Sequence, residues 1–118
     1  MLFRSLRDAE EDVRIALRSV LAPQELLAAL RDAEEDVRRA AAWALGKIGD
    51  AAAVPGLLAA LRDAEEDVRR EAAEALGEIG DAAAVPGLLA ALGDTNADVR
   101  RAAAWALGRI GEDRKSVV

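Results

Sequence analysis

The sequence predicts an all-α fold, a solenoid of stacked antiparallel helix pairs. Three observations carry that expectation. The chain of 118 residues repeats itself at an interval of 31, and self-similarity at a period of 20–50 residues is the mark of a stacked-repeat architecture. Each repeat holds two apolar stripes at helical spacing. Glycine and proline fall where such helices would start, stop or touch. The 29 Ala and 16 Leu suit this design, because both are strong helix formers.

Residues 30–60 and 61–91 are identical at 28 of 31 positions. Residues 92–111 form a partial last copy, identical to residues 30–49 at 15 of 20 positions. Upstream, residues 6–29 form a truncated first copy, in which LRDAEEDVR recurs 24 residues before its next occurrence. Residues 1–5 and 112–118 fall outside the period as non-repeat tails. At the end of the array the period calls for another Asp-Ala-Ala-Ala-Val-Pro, but the chain reads Glu112-Asp113-Arg114-Lys115-Ser116. Solenoid ends need polar caps, and none follows residue 110. The reading is a fragment of a longer array or open ends that self-associate. A capping helix from Ile15 to Leu21 is the milder alternative at the other end.

Within a full repeat, Val54, Leu57, Leu58 and Leu61 form the i, i+3, i+4, i+7 stripe of a short first helix. Asp50 can cap its start, and Pro55 is tolerated in the opening turn, where its missing N–H has no helical partner to lose. The second helix turns Val37, Ala41, Ala44, Leu45 and Ile48 inward. Asp36 near its N-terminus suits the helix dipole, and Gly49 fits the position just past its end. In the last copy Asn96 reads as an N-cap. Gly46, Gly77 and Gly108 interrupt the second helices at a cost of about 1 kcal/mol each relative to Ala. That cost is expected to be offset by close backbone approach between the paired helices.

DVRRAAAWALGKIGDAAAVPGLLAAL resembles the HEAT-repeat family, in particular the short bacterial repeats of phycobilisome lyases. The matching residues are Val37-Arg38, Ala44 to Asp50 and Val54-Pro55, then Val68-Arg69, Ala75 to Asp81 and Val85-Pro86. The resemblance covers about residues 6–111 and departs at Gly56 and Gly87, where the family usually has a helix former. It implies a right-handed, armadillo/HEAT-like α-solenoid whose second helices line the concave face. It also implies that Arg38, Arg69 and Arg100 pair with turn aspartates, here Asp50 and Asp81, to link neighbouring repeats. The near identity of the copies reads equally as consensus design or as recent gene duplication.

Composition excludes several functions. With no Cys and no His, a disulfide framework, a Cys/His zinc site and a His-dependent triad are all out. Ser5, Ser19, Thr95 and Ser116 have no His to activate them, and no enzymatic activity or cofactor is expected. A net charge of −6 argues against nucleic acid, which requires a basic footprint. The longest apolar run, residues 51–61, is shorter than the roughly 20 residues a membrane span needs, and no signal peptide follows Met1. A cytoplasmic protein is expected. Asp94-Thr95-Asn96-Ala97-Asp98 begins like a calcium loop, but Val99 stands where that loop needs Gly and Trp105 where it needs Glu. An inter-helix turn is the better reading. The acidic turns 32–36 and 63–67 read as solvated charge favouring the next helix N-terminus.

The informative positions are those where the two full copies differ: Ala40 against Glu71, Trp43 against Glu74, and Lys47 against Glu78. Spaced by 3 and 4, they share one side of the second helix. The last copy returns to Ala102, Trp105 and Arg109. Lys47, Glu78 and Arg109 read first as an inter-repeat charge ladder, at no more than about 1 kcal/mol per exposed pair. Trp43 and Trp105 have two open readings: hot-spot anchors for a partner, or burial in contacts between chains. With helices about 10 Å apart, the two tryptophans should lie about 20 Å from each other. That span suits about 13 residues of a helical segment, not one small planar ligand. Glu71, Glu74 and Glu78 would favour a protein or peptide with basic and apolar residues. The function expected is a protein–protein interaction scaffold. The alternatives are a spacer or self-assembling segment and, from resemblance alone, a chromophore-lyase-like repeat module.

Overall fold

The computed structural model describes the backbone of residues 23–116 and the side chains of residues 23–112. The 1–5 tail, the truncated repeat as far as residue 22, with Ser19 and the Ile15–Leu21 cap, and the Ser116 side chain lie outside the described residues. Among the described residues six α-helices follow in order: α1 (Pro23–Ala29), α2 (Glu35–Ile48), α3 (Val54–Ala60), α4 (Glu66–Ile79), α5 (Val85–Ala91) and α6 (Ala97–Ser116). Short 3₁₀ turns, Ala51–Ala53 and Ala82–Ala84, lead into α3 and α5. No strand occurs among the described residues.

Helices pair as the two-stripe pattern predicts. α1 packs on α2, α3 on α4 and α5 on α6, while α2, α4 and α6 lie side by side through the molecule. The architecture is an α-solenoid. Its core is one continuous layer in which Leu26, Leu45, Leu57, Leu76, Leu88 and Ile110 are fully buried together with Val37, Val68 and Val99. Burying a side chain of this size stabilises by about 1.5–3 kcal/mol, so these repeated positions set the stack.

Local chemistry fixes the ends. Asp50 and Asp81 each accept the backbone N–H two residues on, at 2.9 Å, and so start the 3₁₀ turns. Pro55 and Pro86 sit in the opening turns of α3 and α5. Gly49 and Gly80 close α2 and α4 at φ 77°, each donating its N–H to the carbonyl four residues back. Asn96 caps α6, accepting from the N–H groups of Asp98 and Val99 at 2.8 and 3.2 Å. α6 does not stop at Gly111, as the period predicts, but runs on to Ser116.

Two linking expectations need correction. The close approach at Gly46 and Gly77 is not within a helix pair but between successive second helices. A Cβ on Gly46 would lie 2.9 Å from Ala75 Cα, and one on Gly77 would lie 2.8 Å from Ala106 Cα. The arginine links do join neighbouring repeats, but not through Asp50 and Asp81, which are spent on the 3₁₀ turns. Arg38 instead grips Asp63 with Nε to Oδ2 at 2.8 Å and Nη2 to Oδ1 at 3.1 Å. Arg69 grips Asp94 with the same two distances. Each arginine also donates to a carbonyl of its own turn, Asp32 or Asp63, at 2.7 and 2.8 Å. The turn aspartate holds the next repeat because its Oδ1 also accepts a backbone N–H, from Glu65 or Asn96. Asp94 and Asn96 thus serve the turn.

Candidate functional site

The three differing positions of the second helix do not share one environment. At 100° per residue, positions 71 and 78 lie about 60° and 40° to the same side of position 74, yet their surroundings differ. Glu71 sits in the layer between helices, where it is 5% exposed and 3.8 Å from Arg70 Nη2. Ala40 and Ala102 are buried at the equivalent places. Glu71 is therefore not a surface contact for a partner, and the expectation that it binds one is corrected.

The two tryptophans also part company. Trp43 is half-buried and packs against the core, with Lys47 Nζ 5.7 Å from its ring centroid. Trp105 is 44% exposed and lies under Arg109, whose guanidinium carbon is 5.4 Å from the ring centroid. Its ring edge also roofs Gly77, where a Cβ would stand 2.8 Å from Trp105 Cζ3. The indole is thus held flat across the α4–α6 seam while much of it stays in water.

Only half of the expected charge ladder forms. Lys47 Nζ donates to Glu78 Oε2 at 2.6 Å across the α2–α4 seam. Among the described residues, Glu78 makes no ion pair with Arg109, which turns to Trp105 instead. Glu74 lies 3.6 Å from Arg70 Nη1, one turn away on its own helix.

Between α4 and α6 these side chains border a groove of about 730 Å³, lined by Asp67, Arg70, Glu74, Glu78, Asp98, Arg101, Ala102 and Trp105. Four carboxylates and two guanidiniums line it, so the groove is acidic with one apolar wall. Arg70 is engaged by Asp67 and Glu74, and Arg101 by Asp98 at 2.9 Å. Of the residues the sequence nominated, Trp105, Glu74 and Glu78 meet here. Trp43 and Lys47 lie one seam away, and Arg109 sits over the indole. Asp67, Arg70, Asp98 and Arg101 were not nominated. The repeat offset could have found them, since Asp67, Arg70 and Glu74 are followed 31 residues later by Asp98, Arg101 and Trp105.

The described residues include no His or Cys. No group of three or more carboxylates is placed to hold a metal ion among them, and no described helix is long and apolar enough to cross a membrane. What the groove can do is hold a chain segment, with an aromatic platform for an apolar or cationic group and carboxylates beside it.

Comparison with known proteins agrees with this architecture. Residues 54–117 match the model of HEAT repeats, and residues 37–63 match that of the PBS lyase HEAT-like repeat. Among solved structures, a chain of the CpcE–CpcF complex of phycocyanin lyase from Nostoc sp. PCC7120 superposes with a TM-score of 0.72 at 39% identity. That match covers 76% of this chain and 37% of the other. Human deoxyhypusine hydroxylase, solved with glycerol, superposes with a TM-score of 0.77 at 30% identity over 94% of this chain and 42% of its own. This chain thus spans well under half the length of either. No curated protein matches it in sequence. The 31-residue period, the paired helices, the glycine–alanine seams and the family model over more than half the chain agree, and the chain belongs to the HEAT-repeat family.

Proposed function

We propose that this protein is a non-enzymatic, cytoplasmic scaffold that binds an extended or helical protein segment in the groove between α4 and α6. The segment offers an apolar side chain to Trp105 and basic side chains to Glu74 and Glu78. The observation that carries this reading is Trp105 itself. A large indole kept 44% exposed beside the Glu74 and Glu78 carboxylates is costly to leave in water, and Trp is the residue most enriched at binding hot spots. The seams support a concave second-helix side. Second helices meet at glycine–alanine distance, whereas first helices are held apart by leucine side chains, Leu27 and Leu30 against Gly56. The CpcE–CpcF complex supports a HEAT-repeat chain of this type meeting a protein partner.

Labelled peptides alternating Leu with Lys, and the same peptides with Glu for Lys, test the proposal by fluorescence anisotropy. The Lys series binds, and binding weakens as salt rises through the Debye regime. Trp105→Ala lowers affinity about thirtyfold, the effect of a hot spot worth about 2 kcal/mol. Glu74→Gln with Glu78→Gln removes the preference for Lys over Glu. Affinity within twofold for Trp105→Ala and the unaltered chain would reject the site.

A further inference from the structure

The seam between repeats occurs twice in the described residues, and its two halves can be compared part by part with the outer face of the last repeat. In each seam one repeat offers four features to the next. Leu27 and Leu30 embrace Gly56, at 3.1 and 3.2 Å from where a Cβ would stand, and Leu58 and Leu61 embrace Gly87 at 2.5 and 3.4 Å. Gly46 receives Ala75, and Gly77 receives Ala106. Arg38 and Arg69 take a turn aspartate from the following repeat. Ala42 and Ala73 are sealed in the contact.

The last repeat presents all four features again. Leu92 is 39% exposed, where its counterparts Leu30 and Leu61 are 6% and 8%, and Leu89 is 54% exposed, where Leu27 and Leu58 are half-buried. Gly108 has nothing within 4 Å of a Cβ position. Arg100 holds the Asp94 carbonyl at 2.7 Å, as its counterparts hold theirs, but among the described residues it makes no ion pair with a turn aspartate of a following repeat. Ala104 is exposed. Nor do the described residues turn back to cover this face. At Gly49 and Gly80 the chain leaves its helix in the left-handed conformation and starts the next 3₁₀ turn, whereas α6 continues through Gly111 to Ser116.

We propose that the face formed by Leu89, Leu92, Gly108 and Arg100 docks a HEAT-type helix pair carried by a second chain. The occupant is specified by the seam it continues. It brings a glycine after the proline of its first helix to Leu89 and Leu92. It lays an alanine of its second helix on Gly108, and its turn aspartate closes on Arg100 in the two-pronged geometry of Arg69 and Asp94. This surface is separate from the Trp105 groove, and the proposal stands or falls independently of peptide binding there.

The test keeps the full chain and tethers to residue 118, through a flexible Gly/Ser linker, a copy of residues 50–80. That copy carries the required glycine, aspartate and alanine at the positions of Gly56, Asp63 and Ala75, and the tether supplies a high effective concentration. A lone helix pair cannot bury its apolar face, so its helicity reports docking. The expected result is a gain in helical circular dichroism, together with at least about tenfold slower amide exchange around Leu89, Leu92 and Gly108. Both are lost with Gly108→Leu, whose Cβ meets nothing within 4 Å on the free face, and both are weakened by Asp63→Asn made in the tethered copy alone. An appended pair that stays unfolded overturns the proposal. So does protection elsewhere on the chain, or docking indifferent to Gly108→Leu.

Discussion

Replacing Asp94 with alanine should uncouple the last repeat from the one before it. Arg69 reaches from α4 across the seam and holds Asp94 with two bonds of 2.8 and 3.1 Å, and both side chains are only 12–15% exposed. An exposed ion pair contributes at most about 1 kcal/mol, whereas breaking a fully buried one costs about 3–5 kcal/mol. A pair nine-tenths shielded at the carboxylate, but solvated along one edge, falls between these limits. Asp94 also accepts the Asn96 N–H at 2.9 Å, a local turn bond worth about 1 kcal/mol. The expected loss for Asp94→Ala is about 3 kcal/mol, of which about 2 kcal/mol is coupling to Arg69.

Urea unfolding of the full chain, of Asp94→Ala, of Arg69→Ala and of the double variant isolates that coupling. Because stability in a repeat array is a sum of units and nearest-neighbour contacts, the loss falls on α6 first. Its amides should exchange ahead of those of α4. Acid adds a second readout. Arg69 holds the Asp94 carboxyl below the usual carboxylate range through its hydrogen bond. Burial opposes this, and the Asn96 N–H and the Arg69 and Arg100 charges reinforce it. A folded-state value below the unfolded one, about 3.9, means the contribution is complete above about pH 4 and fades as pH falls through the folded value. Asp94→Asn should therefore flatten the loss of stability below pH 4. A coupling energy under about 0.5 kcal/mol, or an unchanged acid profile in Asp94→Asn, would refute the clamp as the repeat linkage.

Two other outcomes follow from the same seams. Gly77→Ala should destabilise by about 1–3 kcal/mol despite alanine's better helix propensity, because its Cβ would stand 2.8 Å from Ala106 and from the Trp105 ring. Gly108→Ala, with open space around it, should stabilise by up to about 1 kcal/mol; thermal melts of the pair check the opposite signs. The Lys47–Glu78 pair is short at 2.6 Å but about a third exposed on the lysine side. A double-mutant cycle there should give under about 1 kcal/mol, well below the Arg69–Asp94 value.

How much of this was legible in the sequence depends on whether a residue's partner lies inside its own repeat. Val54 and Leu57, or Val37 and Leu45, bury against their own pair, and helical spacing alone places them. Gly49, Asn96 and Asp50 act within a turn, and their roles were readable from position. Residues whose partner is in the next repeat were recognised as special but given the wrong partner. Arg38 has an aspartate 12 residues on at Asp50 and another 25 residues on at Asp63. Nothing in one repeat says which the stack brings close. The same holds for Gly46, whose missing side chain admits Ala75 rather than the helix it is paired with.

The site was half legible for a related reason. Spacings of 3 and 4 put Glu71, Glu74 and Glu78 within about 60° on one side of α4, with Glu71 and Glu78 only about 20° apart, so the helical wheel does not separate them. Yet Glu71 is buried, while Glu74 and Glu78 stay partly exposed beside their ion-pair partners. Trp43 and Trp105 occupy equivalent positions, so no pattern could separate them, but the half-buried one and the exposed one meet different neighbours across their seams. The residues that build the stack are the same from copy to copy: the arginine, the turn aspartate, the glycine and the alanine that fills it. At the two described seams each is engaged in doing so. Variation between the two full copies is confined to positions 71, 74 and 78, and two of those three border the one groove that holds an exposed indole. An array whose copies must remain interchangeable to stack can acquire specificity only where the stacking contacts leave a side chain free to differ. In this chain the place we propose is the α4–α6 groove.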